Sequence, residues 1–285
     1  MFNYFLYRFA QFLVTHLSKR MAYALAIFLS DIHFWLSHRE RRWVRNNLRI
    51  ITQSEEDLHR QSREVFRNFG RYLVDFLRMA RINKNNLPDF ITVENIHHID
   101  NELKKGNGVI VISAHMGNWE LGGVAMALLG YPVLVVALEH HSQQVTDFFN
   151  AQRNMQGVEV ASLKNAGKRC WEALKENKFI ALVADRDFSK TGIVVKFFGK
   201  DTLTPKGPAV FSRRLKSAIV PAFVVRQGDG RFKLIFENPI YPSITEDEER
   251  DYNEITQRYV MVIEDYVRRF PLQWTIFREF WIKEH

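Results

Sequence analysis

From residue 109 onward the chain alternates short apolar runs with longer stretches in which apolar residues recur every three or four positions. The runs at 109–114, 132–138, 158–161, 179–184, 193–198, 219–225 and 232–237 have the length and the Val, Ile and Phe content of strands. The stretches between them, at 118–129, 143–156, 165–176 and 206–216, predict helices, and 245–270 predicts a last, long one. Strands alternating with helices predict an α/β class: a mixed, mainly parallel sheet flanked by helices.

The first hundred residues read differently. Residues 2–18, with Phe2, Tyr4, Phe5, Leu6, Phe9, Phe12, Leu13 and Leu17, predict an aromatic-rich helix. Residues 20–37, with Tyr23, Ile27, Phe28, Leu29, Ile32, Phe34, Trp35 and Leu36, predict a second one, apolar on nearly every face. Ser54-Glu55-Glu56-Asp57 is close to a capping box and starts a helix running to about Ile82. Its stripe of Val65, Phe66, Phe69, Tyr72, Leu73, Phe76 and Leu77 is core. Ile91-Thr92-Val93 predicts a short strand, and Thr245 to Glu248 forms a capping box before the last helix.

The two apolar helices precede the cluster Arg39-Glu40-Arg41-Arg42-Trp43-Val44-Arg45, the composition of an interfacial anchor on an anionic leaflet. The chain therefore divides into a membrane-associating segment, 1–38, and an α/β domain, 39–285. Arg8 and Asp31 interrupt the apolar runs, so the segment is expected to lie against a membrane rather than thread it. The N-terminus has no signal-peptide pattern.

A net charge of +8 and a pI near 9.5 favour an anionic partner. The basic residues are dispersed and no nucleic-acid motif appears, which points to a lipid surface and not to nucleic acid. The single cysteine, Cys170, excludes an internal disulfide and a cysteine zinc site. His97-His98 and His140-His141 are adjacent pairs, whose side chains diverge on a strand, so no metal is expected.

The strand predicted at 109–114 ends in Ser113-Ala114-His115, turns through Met116-Gly117-Asn118 and enters a helix at Trp119. Asn118 is a good N-cap, and Glu120 lies in the first turn, where a carboxylate suits the helix dipole. An imidazole at a strand end with a carboxylate five residues on suits a general base and the group that orients it. A second cluster, Asp185-Arg186-Asp187, follows the run at 179–184. Two carboxylates around an arginine are costly to bury, so they face a cleft or pair. Arg153 could bind a phosphate or a developing oxyanion, and Lys206-Gly207-Pro208 opens a helix whose N–H groups could hold an anion. No Gly-x-Ser-x-Gly elbow occurs.

Ser-Ala-His-Met-Gly-Asn-Trp-Glu, at 113–120, resembles the signature of the lysophospholipid acyltransferase superfamily, and most of all its bacterial lipid A biosynthesis branch and the related phosphatidylinositol mannoside acyltransferases. Further blocks occur in the family's order: Arg45-Asn46-Asn47-Leu48, Asp185-Arg186-Asp187, Phe197-Phe198-Gly199, Thr204 to Pro208, Ile219-Val220-Pro221 and Gln273-Trp274. The resemblance implies a membrane-associated O-acyltransferase moving a fatty acyl chain from an acyl carrier protein or coenzyme A thioester to a glycolipid hydroxyl, with no bound cofactor. The acceptor would be a lipid A precursor, or alternatively a lysophospholipid or phosphatidylinositol mannoside. A non-catalytic membrane-binding protein is the rival of another class. Implied catalytic residues are His115, Glu120 and Asp185, the last helping to hold the histidine. Implied substrate-binding residues are Asn118, Arg153, Arg186, Asp187, Lys206 and Gly207. The implied location is the cytoplasmic face of the bacterial inner membrane.

Overall fold

The computed structural model describes residues 2–188 and 191–282. Four helices come first: α1 (Phe2–His16), α2 (Lys19–Leu36), α3 (His38–Thr52) and α4 (Leu58–Arg78). The α/β part follows as β1 (Ile91–Glu94), α5 (His97–Lys104), β2 (Val109–Ser113), α6 (Trp119–Leu128), β3 (Val133–Ala137), α7 (Gln143–Asn154), β4 (Glu159–Ser162), α8 (Ala166–Lys175) and β5 (Phe179–Val183). It closes with β6 (Ile193–Phe197), β7 (Lys200–Thr204), α9 (Gly207–Leu215), β8 (Ala218–Arg226), β9 (Phe232–Phe236) and α10 (Glu248–Arg269).

Seven strands form one sheet in the order β1-β9-β8-β2-β5-β3-β4, parallel except where β8 meets β9. The continuous apolar runs of β2 and β8 are buried on both faces, as a sheet covered by helices on each side requires. One register matters most. Ser113, the last residue of β2, pairs with Val183, the last residue of β5. Residues two steps past each strand, His115 and Asp185, are thereby set side by side at the carboxyl edge of the sheet, where ligand sites gather in α/β folds.

Several expectations need correction. The run at 193–198 is not in the main sheet: β6 and β7 form a separate antiparallel hairpin. Ile193, Val195 and Phe197 are buried while Val194 and Lys196 point outward, the one-faced pattern of a hairpin packed on α10. The basic cluster Arg39–Arg45 lies within a helix, His38–Thr52, whose Val44, Asn47, Leu48 and Ile51 face inward at helical spacing. Its charged face masks that short stripe. His97 and His98 open α5 rather than a strand, with their rings 4.2 Å apart. Neither expected capping box is formed. Ser54 accepts from the N–H of Glu56 ahead of the helix, and α10 is capped instead by Asp247, which accepts from the N–H of Arg250.

The two N-terminal helices are not uniformly buried. Both pack on α4, α2 through Ala22, Ser30 and Phe34, with Phe34 edge-on to Phe66 at 5.2 Å. Their other sides expose Phe5, Leu6, Phe9 and Phe12 from α1 and Met21, Phe28, Leu29, Ile32 and Trp35 from α2, with Phe9 58% and Phe28 61% accessible. Among the described residues no helix is long and apolar enough to cross a membrane.

Asp31, the acid that interrupts the apolar run of α2, accepts four hydrogen bonds of 2.6–2.8 Å from Arg63 and Arg67 on α4. Those bonds, Arg67 first and Arg63 next, hold its carboxyl well below the usual range against the opposing effect of burial. Because the folded pKa is depressed, the stabilisation is full above the unfolded value of about 4 and is lost as pH falls below it. The melting temperatures of wild type and Asp31→Asn should therefore differ at neutral pH and converge as the pH is lowered from about 4. A difference that stays constant over that range would contradict this account.

Candidate active site

The loop after β2 is shaped by a glycine. Gly117 has φ of +60°, and a Cβ there would lie 1.6 Å from the Val224 carbonyl oxygen. The Gly117 N–H donates to the Gln273 carbonyl and the Asn118 N–H to that of Val224, so the loop is tied to β8 and to the C-terminal segment. No larger residue fits this close approach.

The tie turns His115 toward Asp185. Its Nδ1 lies 2.6 Å from Asp185 Oδ1, while its backbone N–H donates to Oδ2 at 2.9 Å. Trp274 Nε1 donates to the same Oδ2 at 2.9 Å, and Thr275 caps the His115 carbonyl through both N–H and hydroxyl. The Asp185 side chain is 1% exposed. Burial pushes its pKa up, but the neighbouring imidazole and the donated hydrogen bonds outweigh that and leave it below the ordinary carboxylate range. An ionised Asp185 requires a proton on Nδ1, which leaves the lone pair of Nε2 for a substrate. Trp119 packs edge-on to the imidazole at 5.1 Å and stacks on Tyr72 at 4.4 Å, fixing the ring from its other side.

The expected orienting role of Glu120 is corrected here. The carboxylate that hydrogen bonds His115 is Asp185, whereas Glu120 is gripped by Arg153, Nε to Oε2 at 2.8 Å and Nη2 to Oε1 at 2.6 Å. Both side chains are 12% exposed. Burial opposes the Arg153 charge, and the Glu120 carboxylate more than compensates, raising its pKa. Nη1 of Arg153 donates to Asn150 at 3.1 Å. The arginine fork is thus taken by the protein itself, in place of the free anion-binding fork expected of it. Asn118 is corrected as well. It is fully buried, its Oδ1 accepts from the Leu121 N–H to cap α6, and it does not line the cleft.

His115, Glu120, Arg153, Arg186, Asp187, Lys206 and Gly207 line one cleft of about 490 Å³. That volume falls within the range of small-molecule sites. Its walls are mostly apolar, with Val136, Leu138, Phe149, Leu163, Leu182 and Phe211. Cys170 also lines it, and burial pushes its thiol up to about 12, so it stays protonated at neutral pH and acts as an apolar wall. The Arg186 guanidinium stands 4.6 Å over the Phe188 ring, and its Nε is buried without a hydrogen-bond partner. Burial, then repulsion from Arg278, lowers its pKa against the opposing pull of Asp185. Lys206 Nζ is 2.5 Å from Glu249 Oε1.

Sequence reading missed Tyr72, His140 and Phe149 in this wall and the direct contact of Trp274 with Asp185. Tyr72 sits in a helical stripe that reads as core and Phe149 in a predicted helix, and nothing in their spacing distinguishes a cleft-facing residue from a buried one. The Trp274 contact gives a prediction. Trp274→Phe keeps the ring but removes the donor to a buried carboxylate, a bond worth about 1.5–3 kcal/mol. The variant should melt several degrees lower and lose roughly tenfold in kcat/KM, and equal values in wild type and variant would sink the assignment.

Comparison with known proteins adds a family. The sequence pattern described as bacterial lipid A biosynthesis acyltransferase matches residues 1–283. The chain is 26% identical over 245 residues to a phosphatidylinositol mannoside acyltransferase of Mycolicibacterium smegmatis, covering 84% of this chain and 79% of that protein. It is 26% identical to the protein of the same name from Mycobacterium tuberculosis, over 76% of this chain and 69% of the relative. A lipid A biosynthesis palmitoleoyltransferase of Escherichia coli is 24% identical, over 83% and 76% of the two chains.

Proposed function

Because the chain belongs to the bacterial lipid A biosynthesis acyltransferase family, we propose that His115 is the general base that transfers a fatty acyl chain from a thioester to a glycolipid hydroxyl. The observation that carries this reading is the 2.6 Å contact between His115 Nδ1 and the buried Asp185, which leaves Nε2 open on an apolar cleft. Nε2 removes the acceptor hydroxyl proton as that oxygen attacks the thioester carbonyl. A C–O bond forms, the C–S bond breaks, and the imidazolium returns its proton to the departing thiolate. Asp185 stabilises the imidazolium and holds the ring. Glu120 acts through Arg153 to keep that wall of the cleft charged and in place.

Arg186 and Lys206 are the cleft cations suited to the phosphates of the donor or the acceptor. The donor is an acyl carrier protein or coenzyme A thioester. The apolar walls suit the acyl chain, and no bound cofactor is needed for this chemistry. The acceptor class is a lipid A precursor or, following the names of several relatives, a mannosylated phosphoinositide.

The exposed aromatic face of α1 and α2, next to the basic helix α3, supports an interfacial seat on an anionic leaflet. We place the protein on the cytoplasmic face of the bacterial inner membrane, with residues 1–38 as its membrane-associating segment. Purified protein in detergent should form a new acyl ester when given acyl carrier protein or coenzyme A thioesters with both acceptor types. Whichever acceptor reacts identifies the substrate class. Folded wild type that transfers to neither, with either donor, would count against the proposal.

A further inference from the structure

Asn118, which does not touch the cleft, lines a second cavity of about 130 Å³ together with Lys19, Asp75, Arg78, Arg81 and Phe90. Its charges do not balance. Asp75, the one carboxylate on its wall, is bound by Arg226 and accepts from the Tyr23 hydroxyl at 2.6 Å. Among the described residues, the hydrogen bonds and ring contacts of the three remaining cations go to neutral groups, and only Arg78 also feels the Asp75 charge. Arg78 Nη1 donates to the carbonyls of Val14 and Leu17, and Arg81 Nη2 to that of Thr15, at the end of α1. The Lys19 ammonium stands 5.5 Å over Tyr23 and 5.8 Å over Phe90. Carbonyls and rings orient a cation without cancelling its charge.

Two further observations point to a ligand. Burial, followed by repulsion from Arg81, lowers the pKa of Arg78, and the opposing pull of Tyr23 and Asp75 does not offset them. Asn118 Nδ2 is a buried donor with no hydrogen-bond partner, and such groups ordinarily find one. The cavity is large enough for several water-sized oxygens.

We propose that this cavity binds a phosphate group, with Lys19, Arg78, Arg81 and the Asn118 amide as its donors. Two sources offer that chemistry: inorganic phosphate, and the headgroup of an anionic phospholipid. Lys19 begins α2, just past the turn from α1, so a headgroup there would lie beside the exposed apolar faces of both helices. Only this second source rests on the membrane reading above. Asn118 stands between His115 and Glu120 in the chain and caps α6, so an occupant also steadies the turn that carries both.

The test follows thermal unfolding of the full-length protein against inorganic phosphate, at constant ionic strength set with chloride. Wild type should gain a saturable rise in melting temperature. Lys19→Gln/Arg81→Gln should raise the half-saturating concentration at least tenfold, and the same rise should appear in an Arg186→Gln background, which removes the cleft cation suited to phosphate. Should the double variant fail to fold, Arg81→Gln alone, on an exposed side chain, is expected to raise it at least threefold. The absence of a saturable rise, or one abolished by Arg186→Gln and retained without Lys19 and Arg81, overturns the proposal.

Short-chain phosphatidylglycerol, below its micelle-forming concentration, separates the sources. Stabilisation at lower concentrations than phosphate, weakened by the same double variant, assigns the headgroup. Stabilisation by phosphate alone assigns the free ion. Phe9→Ser/Phe28→Ser should abolish sedimentation with phosphatidylglycerol vesicles yet keep the phosphate effect, so the membrane reading and the phosphate site fail independently.

Discussion

His115→Ala should lower kcat/KM for acyl transfer by about 10²–10⁴-fold, equivalent to roughly 3–5 kcal/mol of transition-state stabilisation, without unfolding the protein. The fold survives because Asp185 keeps two of its three donors, the backbone N–H at position 115 and Trp274 Nε1. Asp185→Asn should lose activity on the order of 10³–10⁴-fold for a different reason. An amide has one acceptor oxygen. If that oxygen keeps the two donors at the Oδ2 position, the NH₂ group faces Nδ1 and donates to it. The ring is then forced into the tautomer with its proton on Nε2, and no lone pair remains for the acceptor hydroxyl. Combining the two substitutions should cost little more than His115→Ala alone, because the pair acts as a unit. Transfer rates within a few-fold of wild type in His115→Ala would end the base assignment.

The second large effect belongs to stability. Glu120→Gln leaves the Arg153 guanidinium in a site where it is 12% exposed and has lost its carboxylate. Breaking one side of a buried pair costs about 3 kcal/mol or more. For a chain of this size that corresponds to a fall of roughly 6–12 °C in melting temperature. Replacing both partners, as Glu120→Gln/Arg153→Met, should recover most of the loss, because the stranded charge is then gone. The double variant also separates two roles. If Glu120 served only the fold, activity would return with stability. If it holds the cleft in its working form, as proposed, the double variant should be stable yet at least tenfold less active. A melting temperature unchanged by Glu120→Gln would show that the pair contributes nothing.

Much of the architecture is legible in the chain because its signals are local. A strand buried on both faces must be apolar throughout, and a helix over it must repeat every three or four residues; these periods mark β2, β5, β8 and their helices in the sequence. His115, Glu120 and Asp185 are legible as candidates for the same reason, since each follows directly from a strand end or a helix start. Sequence determined, by itself, the α/β class, the identity of the chemical groups and the edge of the sheet at which they gather. It could not determine who pairs with whom. That Asp185 rather than Glu120 holds the imidazole depends on Ser113 lying opposite Val183 across two strands seventy residues apart. That Arg153 is spent on Glu120, that Trp274 reaches back to Asp185, and that Asn118 faces a cationic cavity instead of the cleft are likewise products of tertiary packing. Hydrogen bonds and ion pairs act over about 3 Å, and only the folded chain brings residues so distant in sequence within that range.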